Sequence, residues 1–139
     1  MVQKENFVIG GAMTDPKGDR SKGPAEQEDP DLFTRIVETD DKGVYVSGAK
    51  AHQTGCINSH WIILMPTIRL TENDKDWAIV GAIPADAKGV TYIYGRQSCD
   101  TRSMEEGDID DGNAKYGGQE ALIILDRVFI PWDKVFMNG

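Results

Sequence analysis

An all-β domain, an antiparallel barrel or sandwich of about seven strands, is the fold class that this sequence predicts. Three observations carry it. The apolar runs are short and rich in β-branched and aromatic residues, turn-forming residues interrupt them at short intervals, and no segment sustains a helical period.

Phe7-Val8-Ile9 reads as a first strand that ends at Gly10-Gly11, where the backbone has to approach something closely. Asp15-Pro16-Lys17-Gly18-Asp19-Arg20 is a turn by composition, with Pro setting one dihedral and Gly permitting a positive one. Lys22 to Asp31, with Pro24, Pro30 and four carboxylates, reads as a solvated loop. Leu32 to Glu38 and Val44 to Ala51 form a predicted hairpin around Asp40-Asp41-Lys42-Gly43. Trp61 to Met65 is apolar on both faces and predicts a central strand. Trp77 to Ile83, closed by Pro84, and Val90 to Tyr94 follow as strands, and Gln119 to Pro131 is a long last one. The acidic stretch Glu105 to Asp111 lacks the ligand spacing of a calcium loop and reads as surface.

At 139 residues the chain is expected to form one domain, residues 1–139, and its composition, 40% hydrophobic and 27% charged, is that of a globular protein. A formal charge of -8 argues against a nucleic-acid partner, because phosphate backbones recruit clustered Lys and Arg. No apolar run is long enough to span a bilayer and no leader pattern opens the chain, so a membrane is not expected and the cytoplasm is. The two cysteines, Cys56 and Cys99, make neither a disulfide framework nor a metal-ligand spacing, and no metal site is predicted.

Two polar stretches carry the functional expectation. Ala51 to His60 gathers two imidazoles, an amide, hydroxyls, Asn58 and a thiol where a plain turn would serve. Gly10 to Ser21 is the other. In a sheet whose strand ends cluster at a rim, the two are expected to meet and to form a floor for a flat heteroaromatic ring, with Lys17 and Arg20 either on phosphates or paired at the surface with Asp15 and Asp19.

Gly-Ala-Met-Thr-Asp-Pro-Lys-Gly-Asp-Arg at 11 to 20, Ala-Lys-Ala-His-Gln-Thr-Gly at 49 to 55, Tyr-Gly-Arg-Gln-Ser-Cys-Asp-Thr-Arg at 94 to 102 and Gly-Gly-Gln-Glu-Ala-Leu at 117 to 122 carry a resemblance through nearly the whole chain. Together they resemble the middle β-domain of the 4-hydroxyphenylacetate 3-hydroxylase flavoprotein family, in its 4-hydroxybutyryl-CoA dehydratase branch. More distantly, the Thr-x-Pro turn and polar strand end resemble the central domain of acyl-CoA dehydrogenases, which covers one side of FAD.

The resemblance implies a subunit with helical domains on either side, so that Met1 and Gly139 read as cuts in a longer chain. It implies FAD contacts from Met13, Thr14, Lys17, Gly18, Asp19, His52, Gln53 and Thr54, and a catalytic carboxylate at Glu120. Glu120 also has a warrant of its own, since a carboxylate entering an apolar strand is desolvated and its proton affinity raised. A 4Fe-4S cluster is implied with its ligands in the helical parts, and Cys56 and Cys99 do not replace them. The implied reaction is dehydration of 4-hydroxybutyryl-CoA to crotonyl-CoA, with isomerisation of vinylacetyl-CoA, in a homo-oligomer that is a tetramer in the family. The isolated chain is expected to be folded, inactive, weak or silent toward FAD, and prone to dimerise. Two rival readings stand beside this one: the same domain of a flavin-dependent 4-hydroxyphenylacetate 3-monooxygenase, and a non-catalytic β-barrel interaction module whose polar stretches do not converge.

Overall fold

The computed structural model describes residues 2–94 and 120–139. Eight strands, β1 (Ile9–Ala12), β2 (Arg35–Thr39), β3 (Gly43–Thr54), β4 (Trp61–Leu64), β5 (Ile79–Pro84), β6 (Val90–Tyr94), β7 (Glu120–Pro131) and β8 (Val135–Asn138), form two four-stranded sheets. The first has the order β1-β4-β5-β8 and the second β2-β3-β7-β6. Strand alternation gives each sheet one apolar face. Ala12, Ile62, Leu64, Ile79 and Ile83 from the first sheet meet Val44, Val46, Ile123, Leu125, Val128 and Ile130 from the second in one buried core. The two sheets pack over this core in a sandwich-like arrangement, and the described strands do not close into a barrel.

The expected hairpin is present: β2 and β3 pair antiparallel, and the Asp40 carboxylate accepts the backbone N–H groups of Lys42 and Gly43 at 2.8 and 2.9 Å. The all-antiparallel expectation fails at β1, which runs parallel to β4. No tight turn joins those two strands, because the whole β2–β3 hairpin lies between them in sequence, so their direction is free of hairpin geometry.

Several strand boundaries move for local reasons. β1 contains Gly10-Gly11 instead of stopping at them, because they pair with Ile62 and Ile63 of β4; the close approach is at Gly10, where a Cβ would lie 2.8 Å from Ser59 Oγ. β2 starts at Arg35 because Pro30–Leu32 form a 3-10 turn, capped where Asp29 accepts the Asp31 N–H. Trp77 belongs to another 3-10 segment, Glu72–Trp77, so β5 begins only at Ile79. β8 pairs with β5, and the pattern of its mostly exposed residues had not announced it. β4 lies between β1 and β5 as the expected central strand, with Ile62 and Leu64 fully buried. The acidic stretch Glu105 to Asp111, Cys99 and Gly117-Gly118 lie outside the described residues.

Candidate functional site

The site is organised by an irregularity in the central ribbon of the second sheet. Along β3 and β7, Lys50 pairs with Ile123 and the next partners are Gln53 and Ala121, so Ala51 and His52 together oppose Leu122. This is a β-bulge, and His52 adopts a left-handed φ of 56° within it. The polar stretch expected to be a turn is thus still strand as far as Thr54.

The extra residue changes which side chains face inward. Lys50 and Gln53 are both buried, where an uninterrupted strand would have sent them to opposite faces. Ala49, Ala51, Thr54, Glu120, Leu122 and Ile124 share the outer face by register.

Beyond Ser47, where β2 no longer pairs with β3, the chain leaving β1 takes over that edge. Thr14 O accepts the Ala51 N–H at 2.8 Å. Gln53 Oε1 accepts the Met13 N–H at 3.2 Å, while Gln53 Nε2 donates to Thr14 O at 3.0 Å and also to Ala51 O. The two polar stretches, separated by some forty residues of chain, therefore meet, as expected.

Asp15 is not at the surface paired with Lys17 or Arg20. Its carboxylate lies 2.6 Å from Lys50 Nζ, and each side chain is only 2% exposed. Lys50 Nζ also donates to Met13 O at 3.0 Å and Met65 O at 2.8 Å. Burial pushes the Asp15 carboxyl up and the Lys50 ammonium down, each opposed by the charge of the other. Sequence reasoning missed this pair, although a lysine at an inward position of the Val44-to-Ala51 strand pattern was a signal for it.

The remaining predicted residues fall into distinct places. Met13 is 46% exposed and Thr14 half-buried. Lys17 and Gly18 form consecutive left-handed positions, with φ of 73° and 49°. Asp19 is engaged within its own turn: it accepts from Ser21 Oγ at 2.7 Å and Ser21 N at 2.9 Å, and these bonds hold its carboxyl below the usual carboxylate range. Glu120 stands opposite Thr54, whose hydroxyl donates a long hydrogen bond to it at 3.4 Å. Glu120 is exposed, so the desolvation expected there is not supplied by the described residues.

The two imidazoles of the Ala51-to-His60 stretch do not share a site. His60 Nδ1 accepts the Val8 N–H at 3.0 Å, its ring packs on Phe7, and it lines a separate cleft with Trp61 and Tyr92. Cys56 is buried inside, and burial pushes its thiol up.

His52 lines an open cleft of about 820 Å³ over the outer face of β3 and β7. Its floor is Ala49, Ala51, Leu122 and Ile124, and its walls include Pro16, Leu32 and the carboxylates Asp29, Asp31 and Asp126. The two alanines on β3, with Leu122 and Ile124 beside them on β7, make this floor apolar and leave space above β3 that suits a planar ring. The acidic walls disfavour a phosphate there. Thus the residues present fit a flavin ring. Among the described residues no group of His, Cys, Asp or Glu is arranged to hold a metal ion or cluster, and no helix is long and apolar enough to cross a membrane.

Residues 1–137 match the family model described as 4-hydroxyphenylacetate 3-hydroxylase N terminal. The chain is 61% identical over 137 residues to the 4-hydroxybutyryl-CoA dehydratase/vinylacetyl-CoA-Delta-isomerase of Clostridium aminobutyricum, covering 98% of this chain and 28% of that protein. A solved oxygen-tolerant archaeal 4-hydroxybutyryl-CoA dehydratase from N. maritimus is 94% identical with a TM-score of 0.86, covering 100% of this chain and 28% of the other. The fold alone is shared with the FAD complex of the oxygenase component of 4-hydroxyphenylacetate 3-monooxygenase, at 23% identity and a TM-score of 0.75 over 98% of this chain and 27% of that one. It is also shared with an acyl-CoA dehydrogenase from Geobacillus kaustophilus, at 17% identity and a TM-score of 0.57 over 96% of this chain and 30% of that one. The chain thus spans little more than a quarter of the length of these proteins. With all but its last two residues on that family's model, the chain belongs to the 4-hydroxyphenylacetate 3-hydroxylase family.

Proposed function

We propose that this chain is the flavin-facing β-domain of a 4-hydroxybutyryl-CoA dehydratase that also isomerises vinylacetyl-CoA, both reactions giving crotonyl-CoA. The observation that carries the reading is the bonding of the Met13-Thr14 backbone to Ala51 and Gln53 on β3, whose outer face carries both the Thr54–Glu120 pair and the apolar cleft that His52 lines, in a chain 61% identical to an enzyme of that name. The acyl-CoA substrate, the flanking helical domains and assembly into a homo-oligomer, a tetramer on the family's pattern, belong to the same proposal.

Each residue then has a task. The Thr14 and Thr54 hydroxyls hydrogen-bond the polar edge or side chain of FAD, and Met13 and His52 lie along its ring system. Lys17 and the backbone at Gly18 and Asp19 meet a phosphate of FAD or of CoA, with Asp19 holding the turn through Ser21. Gln53 acts through the Met13-Thr14 backbone. Glu120 moves the proton at a substrate carbon, and Thr54 holds one of its carboxylate oxygens. Bound flavin supplies reversible electron transfer. Covering Glu120 with the rest of the subunit would supply the desolvation that these residues do not. A 4Fe-4S cluster has no ligand set among the described residues and would take its ligands from other parts of the subunit.

The test uses the full-length protein containing this chain. Wild type is expected to carry flavin and to form crotonyl-CoA from 4-hydroxybutyryl-CoA, while Glu120→Gln keeps its flavin and loses at least about a hundredfold in kcat. A Glu120→Gln enzyme of undiminished kcat removes that carboxylate from the chemistry. Hydroxylation of a phenol in place of dehydration would assign the chain to the oxygen-using branch.

A further inference from the structure

We propose that Lys50, with Asp15 and Gln53, is a positioning clamp that sets how the Met13-Thr14 peptide presents itself to bound flavin, a role that rests on the flavin reading above. Lys50 is 1% exposed and cannot touch a ligand. An ammonium has three donor hydrogens, and three oxygens surround this one: Asp15 Oδ1 at 2.6 Å, Met13 O at 3.0 Å and Met65 O at 2.8 Å. Lys50 therefore joins three segments, namely the turn after β1, strand β3 and the end of β4.

Gln53 completes the hold from the other side of the bulge. Met13 offers its N–H to Gln53 and its carbonyl to Lys50, and the Thr14 carbonyl receives both Gln53 Nε2 and the Ala51 N–H. Three of the four backbone polar groups of Met13 and Thr14 are thus held from β3. The Met13 side chain projects outward, and Thr14 is only half-buried. Lys50 faces inward by the alternation of β3, and the bulge at Ala51-His52 turns Gln53 to the same side, toward this peptide.

Stability alone is a poor explanation for such an arrangement. A buried ion pair is often matched or bettered by apolar side chains of similar volume, because desolvation offsets most of the attraction. Geometry is a better one, since displacing a binding or reacting group by about 1 Å can cost two orders of magnitude.

The experiment compares full-length wild type, Asp15→Leu/Lys50→Met and Gln53→Met, each titrated with FAD and scanned for melting and visible absorption. The double variant leaves no unpaired buried charge, so it is expected to fold and melt close to wild type. Both variants are expected to hold flavin about tenfold to a hundredfold more weakly and to shift its absorption band. Folded variants whose affinity stays within about twofold of wild type, with an unchanged spectrum, would overturn the clamp and leave the flavin site standing. Should the double variant not fold, Gln53→Met decides by the same criterion, because it frees the same peptide without unpairing a charge. Wild-type protein with no affinity for flavin would overturn the flavin reading and this inference with it.

Discussion

His52 holds a backbone conformation that glycine adopts without penalty and a β-branched residue resists. His52→Gly is expected to melt at or above the wild-type temperature, relieving about 1 kcal/mol, whereas His52→Val should lose a similar amount or more. Both substitutions are expected to weaken flavin binding in the full-length protein, so that stability and affinity move independently. Asp74 invites a different prediction. It is 3% exposed and accepts Thr71 Oγ1, Thr71 N and Ala25 N at 2.7, 2.9 and 3.0 Å, tying the Glu72–Trp77 segment to the loop at Pro24. Burial pushes its carboxyl up, but these donors outweigh it and hold the group below its ordinary value. A carboxyl lowered in the folded state stabilises the protein above the unfolded pKa, and that contribution is lost as pH falls through the folded one. Asp74→Asn should therefore cost about 2 kcal/mol in urea unfolding at pH 7, and the gap should close below about pH 4. A gap that is unchanged in acid would show that the charge at Asp74 is not what stabilises the cap.

β3 is the element on which fold and site both depend, and it is irregular twice. Besides the bulge at His52, the register slips between Val46 and Gly48, where Arg127 on β7 takes a φ of 50° and donates its N–H to Ser47 Oγ at 3.0 Å. Gly48 has a φ of 128°, and a Cβ there would stand 2.4 Å from Phe33 O. Gly48→Ala should lose at least about 2 kcal/mol of unfolding free energy, and a near-neutral result would mean that β3 can shift away from Phe33. The strands themselves were legible, since alternation and turn residues are local signals: the Asp40-to-Gly43 hairpin, β4, β6 and β7 lie close to where the pattern puts them. The bulges were not legible. A single extra residue leaves composition and alternation nearly untouched, yet it sends Gln53 inward and His52 out.

For the whole chain, the apolar surface outside the core carries the prediction. Phe136 and Met137 on β8 are 60% and 48% exposed, and among the described strands β8 has a partner on one side only. An edge with exposed apolar residues favours self-association. The isolated chain should sediment as a concentration-dependent dimer and should show no turnover with 4-hydroxybutyryl-CoA. A species that stays monomeric at every concentration would remove β8 as an associating edge. The convergence of the two polar stretches bears on the interaction-module reading, which required them to lie apart; Ala51 N and Thr14 O are 2.8 Å from each other.

Residue order alone was enough for the β class, the hairpin, the separation of polar from apolar stretches and the motifs that carry the family, because each is written over a few neighbouring positions. Three features came only from long-range packing: the parallel seat of β1 on β4, the burial of Asp15 against Lys50, and the shared outer face of Thr54, Glu120 and the alanine floor. The reason is physical. Which side of a sheet a residue faces, and whether a charge is dry or wet, depends on register and on partners tens of positions away, and the bulge in β3 reverses the facing of the strand residues that follow it.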